Sequence, residues 1–271
     1  MGRLYKIVRR IAPDLLARYE STEWELRRRL KSAGAKTRPK PPGRAWLNST
    51  LLSMQQVDRA LEEVRFCGLP PHKDPPKNWD ALSALQLILE RTTPNSRILE
   101  VGATLYSITL PWLYLYGYRN LRGIDLIFDR PVRRGPILYE HGDMAHTHFG
   151  DASFDVIVCL SVIEHGVEIP AFFCEMARLL NPGGVLIVST DYWVDPVDTH
   201  GKNAYGVPIK IFSRPEVEDM FAIAKNYGFA PTGTVDLESQ DKVVHWREYD
   251  LNFTFVNFAL QKTESLDSSK A

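Results

Sequence analysis

The sequence has no apolar run approaching the ~18 residues needed to span a bilayer, and its three cysteines, Cys67, Cys159 and Cys174, form no CxxC pair. A disulfide framework and a zinc ribbon are therefore not expected, and a reducing compartment is. The start, Met1-Gly2-Arg3-Leu4-Tyr5, lacks the apolar core of a secretory signal, so the expected location is cytoplasmic. Net charge is lacking too. The 33 Lys and Arg balance 33 Asp and Glu, which speaks against a nucleic-acid coat, and no nucleic-acid partner is expected. Internal repeats are absent. What remains is ordinary globular composition, 44% hydrophobic and 24% charged over 271 residues, which suits one large domain with an appendage.

The zero balance conceals an asymmetry. Residues 1–44 hold 13 basic and 4 acidic residues, a net of +9, which leaves 20 basic and 29 acidic residues, a net of −9, for the rest. Leu4, Ile7, Val8, Ile11, Leu15 and Leu16 recur at helical spacing among Arg3, Lys6, Arg9 and Arg10. Such a basic amphipathic helix suits an anionic membrane surface or a protein partner, or packs back on the acidic remainder. A second helix is expected over 20–32, ending near Gly34. Proline-rich 36–43 reads as a linker, 46–66 as a further helix, and 69–76 as another proline-rich break. Residues 1–78 thus read as a helical, basic extension: a lid, a docking arm or a homo-oligomer interface. Residues 263–271 read as a flexible tail.

From about residue 79 helices and strands alternate. Helices are expected over 79–91, 105–117, 170–180 and 214–227, and strands over 97–101, 121–126, 137–141, 154–160, 185–190, 233–237 and 253–261. Alternation of this kind implies an α/β fold over 79–262, a mostly parallel sheet of seven strands with helices on both faces. Ligands of such sheets sit at the carboxyl ends of the strands, where the winding reverses. Those ends carry Glu100-Val101-Gly102-Ala103-Thr104, then Asp125, then Gly142-Asp143-Met144, then Ser161-Val162-Ile163-Glu164-His165.

A nicotinamide cofactor does not suit these residues. Its G-x-G-x-x-G turn needs a second glycine so that the backbone can approach a pyrophosphate, and Thr104 stands there. Glu100 would also face the dianion, and one close like-charge contact costs about 4 kcal/mol at an effective dielectric of ~20. A ligand with a cationic end and an adenosine end fits better. Glu100 complements an ammonium, Gly102 permits a sharp turn under the ligand, Asp125 accepts from ribose hydroxyls, and Asp143 with Met144 meets adenine. S-adenosylmethionine has these features. Read locally, Glu100 can instead cap the next helix, Asp125 and Asp143 can be turn residues, and Cys159 and Cys174 can be small buried apolar side chains.

With EVGAT at 100–104, GDMAHTHFGDASFDVIVCLSVIEHG at 142–166 and ARLLNPGG followed by VLIVST at 177–190, residues 79–262 resemble a class I S-adenosylmethionine-dependent methyltransferase of the small-molecule, type-11-like family. The first motif departs from the usual acidic residue followed by several glycines. The resemblance implies a Rossmann-like domain in which Glu100 and Gly102 contact the methionine part, Asp125 the ribose, and Asp143 and Met144 the adenine, with Ala103, Thr104 and Leu126 also among the cofactor-binding residues. Leu160 and Ser161 are implied beside the sulfonium.

For the chemistry, a hydroxyl acceptor calls for a base or a metal. His165 is the first candidate base, and Asp198 with His200 the second. Glu164-His165 matches part of a cluster that holds a divalent metal in some quinone-type O-methyltransferases, so Mg2+ is an expected second cofactor. Tyr192, Trp193 and Asp195 follow the fifth strand, where aromatic faces beside carboxylates suit a saccharide. The expected activity is O-methylation of a small-molecule or glycan hydroxyl. The alternatives are a lipid, quinone or natural-product acceptor at a membrane surface, and a cofactor-binding protein without turnover.

Overall fold

In a computed structural model the described residues are 12–43 and 46–263, so most of the basic helix expected over 4–16 and all but the first residue of the expected tail lie outside them. The described chain opens with α1 (Pro13–Glu20) and α2 (Glu23–Ser32), then β1 (Ser49–Thr50), α3 (Met54–Cys67) and α4 (Lys77–Arg91). The alternating part runs β2 (Arg97–Val101), α5 (Thr109–Leu115), β3 (Asn120–Asp125), β4 (Val132–Arg134), β5 (Ile137–His141), β6 (Phe154–Leu160), α6 (Ile169–Leu179) and β7 (Leu180–Tyr192). It closes with β8 (Asn203–Ala204), β9 (Val207–Pro208), α7 (Arg214–Asn226), β10 (Phe229–Pro231), β11 (Val244–Trp246) and β12 (Leu251–Lys262). No helix among the described residues is long and apolar enough to cross a membrane.

The main sheet has the order β1-β12-β7-β6-β2-β3-β5-β4, with β10 and β11 also on β12. β7, β6, β2, β3 and β5 are parallel, and β12 lies antiparallel on β7. From β2 the chain builds outward through β3 to β5, then returns to place β6 on the other side of β2. A crevice opens at the carboxyl ends of β2 and β6, where the winding reverses.

The strands read as near-continuous apolar runs because both faces are covered. Ile98, Val156, Val158, Val185 and Ile187 join one core with α3 and α4 residues such as Val57, Ala60, Leu82 and Leu85. Their neighbours Leu99, Val101, Ile157, Cys159, Leu186 and Val188 join a second core with Phe172, Phe173 and Met176 of α6 and Val217 and Met220 of α7. The period of two assigns every strand residue to one core or the other. Cys159 is buried as expected, whereas Cys174 is exposed, because it lies on the outer side of α6 while Phe172, Phe173 and Met176 take the inner side.

The structure departs from the sequence reading at the edge of the sheet. Helix α3 begins at Met54, and residues 46–53 are not helical. Leu51 donates its amide to Phe255 O at 2.8 Å, and Asn48 Oδ1 accepts from the Ala259 amide at 2.9 Å. The outer edge of β12 would otherwise present bare donors and acceptors. Three short strands share it: β11 along Leu251–Phe253, β1 along Val256–Asn257 and β10 along Leu260–Lys262. This explains why the strand expected over 233–237 is absent. Its place on β12 is taken by β1, and the Asp236 amide turns instead to Asn48 O at 2.9 Å. The expected linker is strapped down as well, with the Lys36 and Lys40 amides each 2.9 Å from Gly68 O and Cys67 O.

One close approach fixes the crevice. Gly102 has φ +73°, and a Cβ built there would lie 2.3 Å from Val162 Cγ2. The turns after β2 and β6 can meet only because residue 102 has no side chain. Gly102→Ala is expected to destabilise the protein by more than about 2 kcal/mol, measured by urea denaturation. Val162→Ala in the Gly102→Ala background is expected to recover part of that loss, since it removes the clash and leaves the dihedral strain.

Candidate active site

The crevice contains a cavity of about 220 Å³. Its walls are Glu100, Gly102 and Thr104 after β2, Leu160 and Ser161 at the end of β6, Lys77 and Asp80 of α4, and His72. A larger groove, about 540 Å³, lies at the opposite edge of the sheet among Arg97, Arg119, Arg122 and Arg133, and none of the expected site residues lines it.

Glu100 occupies the centre of the crevice floor. It is 5% exposed, and burial pushes its carboxyl up to about 7, against hydrogen bonds from the Leu110 amide, Ser107 and Thr109 that favour the charged form. Glu100 therefore does cap the start of α5, but with only part of its capacity. Oε2 is buried and has no partner. Ser161 adds a second unpartnered oxygen, its Oγ, and holds φ +53° where β6 gives way to the next turn. An ammonium or sulfonium ligand would satisfy this pair of acceptors.

The other expected cofactor residues follow the strand ends. Asp125 closes β3, and its Oδ1 accepts from the Ile127 amide at 2.9 Å. This is the local turn bond read from sequence, and it is made through Oδ1 alone. Asp143 does the same with the Ala145 amide at 2.8 Å. Leu126 and its neighbour Ile127 are exposed, 65% and 62%, beside this end of the crevice. Met144 packs against the second core. Ala103 is fully buried and offers only backbone. Thr104 spends its hydroxyl on the Tyr106 and Ser107 amides at 3.1 and 3.2 Å.

On the β6–β7 side lie Glu164, His165 and Asp191. Glu164 is buried, its Oε2 accepts from Thr190 Oγ1 at 2.9 Å, and burial pushes it up to about 7. Asp191 at the end of β7 is raised well above the usual carboxylate range by burial and by Glu164. Asp80 is raised by burial too, although Ser189 Oγ donates to it at 2.7 Å. Lys77 of α4 opposes these shifts at Asp80, Glu164 and Asp191, and it also depresses His165 below burial alone. His165 is half-buried and therefore held toward its neutral form. It packs edge-on against the Tyr205 ring at 5.2 Å.

Several expected residues are not brought to this place. Tyr192 is fully buried and donates its hydroxyl to Leu237 O at 2.7 Å, so it is a core residue and not a substrate contact. The alternation of β7 turns it inward between Asp191 and Trp193. Trp193 is half-buried, with Lys242 Nζ 5.0 Å from its ring centre. Asp195 is exposed. Asp198 and His200 are exposed on the same loop and pair with each other at 3.0 Å, which spends the second candidate base. Among the described residues no group of three or more His, Cys, Asp or Glu side chains is arranged to hold a metal. Glu164 is turned to Thr190 and away from any such set, so the Mg2+ expectation finds no ligands here.

Two features escaped the sequence reading. Lys77 and Asp80 interrupt a helix that is otherwise apolar and buried from Asn78 to Leu85, and charges on a buried helix face are the signal that could have found them. Tyr205, Trp246 and Tyr249 are brought to His165 by the β8–β9 turn and the turn after β11, which only the fold reveals.

Residues 99–188 match the family model of a methyltransferase domain. Sterol 24-C-methyltransferase of Candida albicans is 29% identical over 117 residues, 40% of this chain and 30% of that protein. A probable S-adenosylmethionine-dependent methyltransferase of Mycolicibacterium smegmatis is 48% identical over 50 residues, 18% of this chain and 20% of that one. The chain thus spans a third or less of these relatives' length. Geranyl diphosphate C-methyltransferase of Streptomyces coelicolor has a TM-score of 0.49 at 15% identity, over 72% of this chain and 86% of that one. The matched segment begins at Leu99 in β2 and ends at Val188 in β7, and so contains the strand ends that build the crevice. The chain thus carries a methyltransferase domain over residues 99–188, about a third of its length.

Proposed function

We propose that the protein transfers a methyl group from S-adenosylmethionine to a hydroxyl of a small-molecule acceptor. The observation that carries the reading is Glu100 Oε2, a buried carboxylate oxygen without a partner on the wall of the crevice. S-adenosylmethionine would supply an electrophilic methyl and leave as a neutral thioether. Glu100 and Ser161 hold its charged end, the free oxygen of Asp125 takes the ribose hydroxyls, and Leu126, Asp143 and Met144 border the adenine. With the methyl supplied by the bound group, neutral His165 would take the proton of the acceptor hydroxyl.

The saccharide form of this reading keeps Trp193 but loses Tyr192, and Asp195 points to solvent. A second reading, a lipid or quinone acceptor at a membrane surface, is favoured by the +9 charge of residues 1–44 and by the likeness to a sterol methyltransferase.

Calorimetric titration tests the cofactor. S-adenosylmethionine and S-adenosylhomocysteine are expected to bind in the micromolar range, and Asp125→Ala to weaken both by about tenfold or more. Absence of binding by the folded protein would overturn the proposal. Binding without turnover on any hydroxyl acceptor would leave a cofactor-binding protein.

The pH dependence has a definite sign. Glu100 and Glu164 titrate near 7 in the fold against an ordinary 4.5, so the cofactor-free fold favours their neutral forms. Their stabilising contribution is complete below about pH 4.5 and is lost as the pH rises through about 7. A bound ammonium reverses this at Glu100. The melting temperature of the cofactor-free protein should therefore fall from about pH 5 to about pH 8. The increment from S-adenosylmethionine should be larger at the higher pH. Glu100→Gln should remove most of that difference, measured by scanning fluorimetry.

A further inference from the structure

Beyond the cofactor crevice, three separate segments converge on His165. The turn after β6 supplies His165 itself. The β8–β9 hairpin supplies Tyr205, whose ring lies 5.2 Å from the imidazole at 80°. The β11 turn supplies Trp246, 6.4 Å from Tyr205 at 28°, and Tyr249, 4.6 Å from Trp246 at 80°. Tyr205 is 83% exposed and stands at φ +53°, followed by Gly206 at φ +85°. Turns of this kind favour Asn or Gly at the first position. A large aromatic residue held there costs stability and buries almost nothing in return, the pattern of a residue retained for binding. The hairpin is seated against the turn that carries His165, since a Cβ on Gly166 would lie 3.1 Å from Val207 Cγ1.

Several polar side chains on these segments are paired with neighbours. Lys202 Nζ donates to Tyr249 O at 2.5 Å, His245 pairs with Asp250 at 3.3 Å, and Asp198 with His200 at 3.0 Å. His165 is left as the polar group that faces the rings. A saccharide needs several hydroxyl partners beside a stacking face, and the spent side chains withhold them. A flat ring needs only faces to stack on and one group to meet its hydroxyl. The turn that carries His165 begins at Ser161, which lines the crevice, so the rings gather on the same strand end as the cavity wall.

We propose that Tyr205 and Trp246 form the docking platform for the methyl acceptor, and that the acceptor presents its hydroxyl on a flat conjugated ring of the phenol, catechol or hydroquinone class. The inference rests on the methyl-transfer reading above and narrows its substrate class. Tyr205 is the specificity-determining residue, His165 the group that meets the hydroxyl.

The test uses the full-length chain saturated with S-adenosylhomocysteine, with tryptophan fluorescence as the readout. Catechol, 4-nitrocatechol and 1-naphthol are titrated in parallel with methyl β-glucoside. At least one flat phenol should quench saturably, and the glucoside should not. Tyr205→Ala should weaken that binding by about five- to tenfold, the worth of one stacked ring. Tyr205→Phe should keep it within about twofold, because the face is preserved. S-adenosylmethionine affinity should be unchanged in both variants. The exposure of Tyr205 and its strained dihedral mean that neither change threatens folding. Unaltered phenol binding by Tyr205→Ala, no saturable quenching by any flat phenol, or tighter binding of the glucoside would overturn the platform while cofactor binding stands. Loss of cofactor binding in the unmodified protein would instead overturn the methyl-transfer reading.

Discussion

Four carboxylates, Asp80, Glu100, Glu164 and Asp191, share one desolvated corner of the molecule, each 5% exposed or less. Asp80 raises the other three, and Lys77 is the cation whose field reaches Asp80, Glu164 and Asp191. An isolated buried carboxylate does not stay charged; it takes up a proton or finds a cation. The cluster is therefore short of positive charge by construction. That shortage gives the crevice its preference for a cationic ligand and makes its occupancy sensitive to pH. Burial and Lys77 together hold the neighbouring His165 toward its neutral form.

The sheet makes this cluster possible. Its carboxylates come from α4, from the end of β2, from the turn after β6 and from the end of β7, elements far apart in sequence. The reversal of winding between β2 and β6 brings the strand ends side by side, and the missing side chain at Gly102 lets Val162 close the gap. Lys77 lies with its Nζ 4.3 Å from the centre of the Phe255 ring of β12. The antiparallel strand thereby helps fix the cation that tempers the cluster.

Much of this was legible in the residues. Both-sided apolar runs at 154–160 and 185–190, glycine turns and the carboxylates at strand ends gave the parallel sheet and the cofactor side, because period and burial are local properties. Acceptor recognition was not legible for the opposite reason. Tyr192 and Trp193 look alike in sequence, yet Tyr192 ends β7 inside the second core while Trp193, just past the strand, is half-buried against the first. Asp198 and His200 look like a catalytic pair, yet they pair with each other on an exposed loop, away from the residues that line the cavity. Tyr205 and Trp246 lie 41 positions apart and meet only when two short turns fold over the same strand end. Residues 46–53 carried the amphipathic spacing of a helix. Tertiary context overrode it, since β12 needed an edge partner.

The pairing of Ser49 with Asn257 and Thr50 with Val256 also bears on how the chain is made. During synthesis the early segment emerges with nothing to pair with, because its partner β12 lies about 200 residues further along the chain. Until then β7 lacks its antiparallel neighbour, Lys77 lacks the Phe255 ring, and the outer face of α3 lacks its final cover. Contacts of such separation are formed late and slowly. The carboxylate corner therefore matures only after β12 has emerged, so a ribosome-bound chain stalled before residue 251 would carry a nearly whole parallel sheet and an unfinished site.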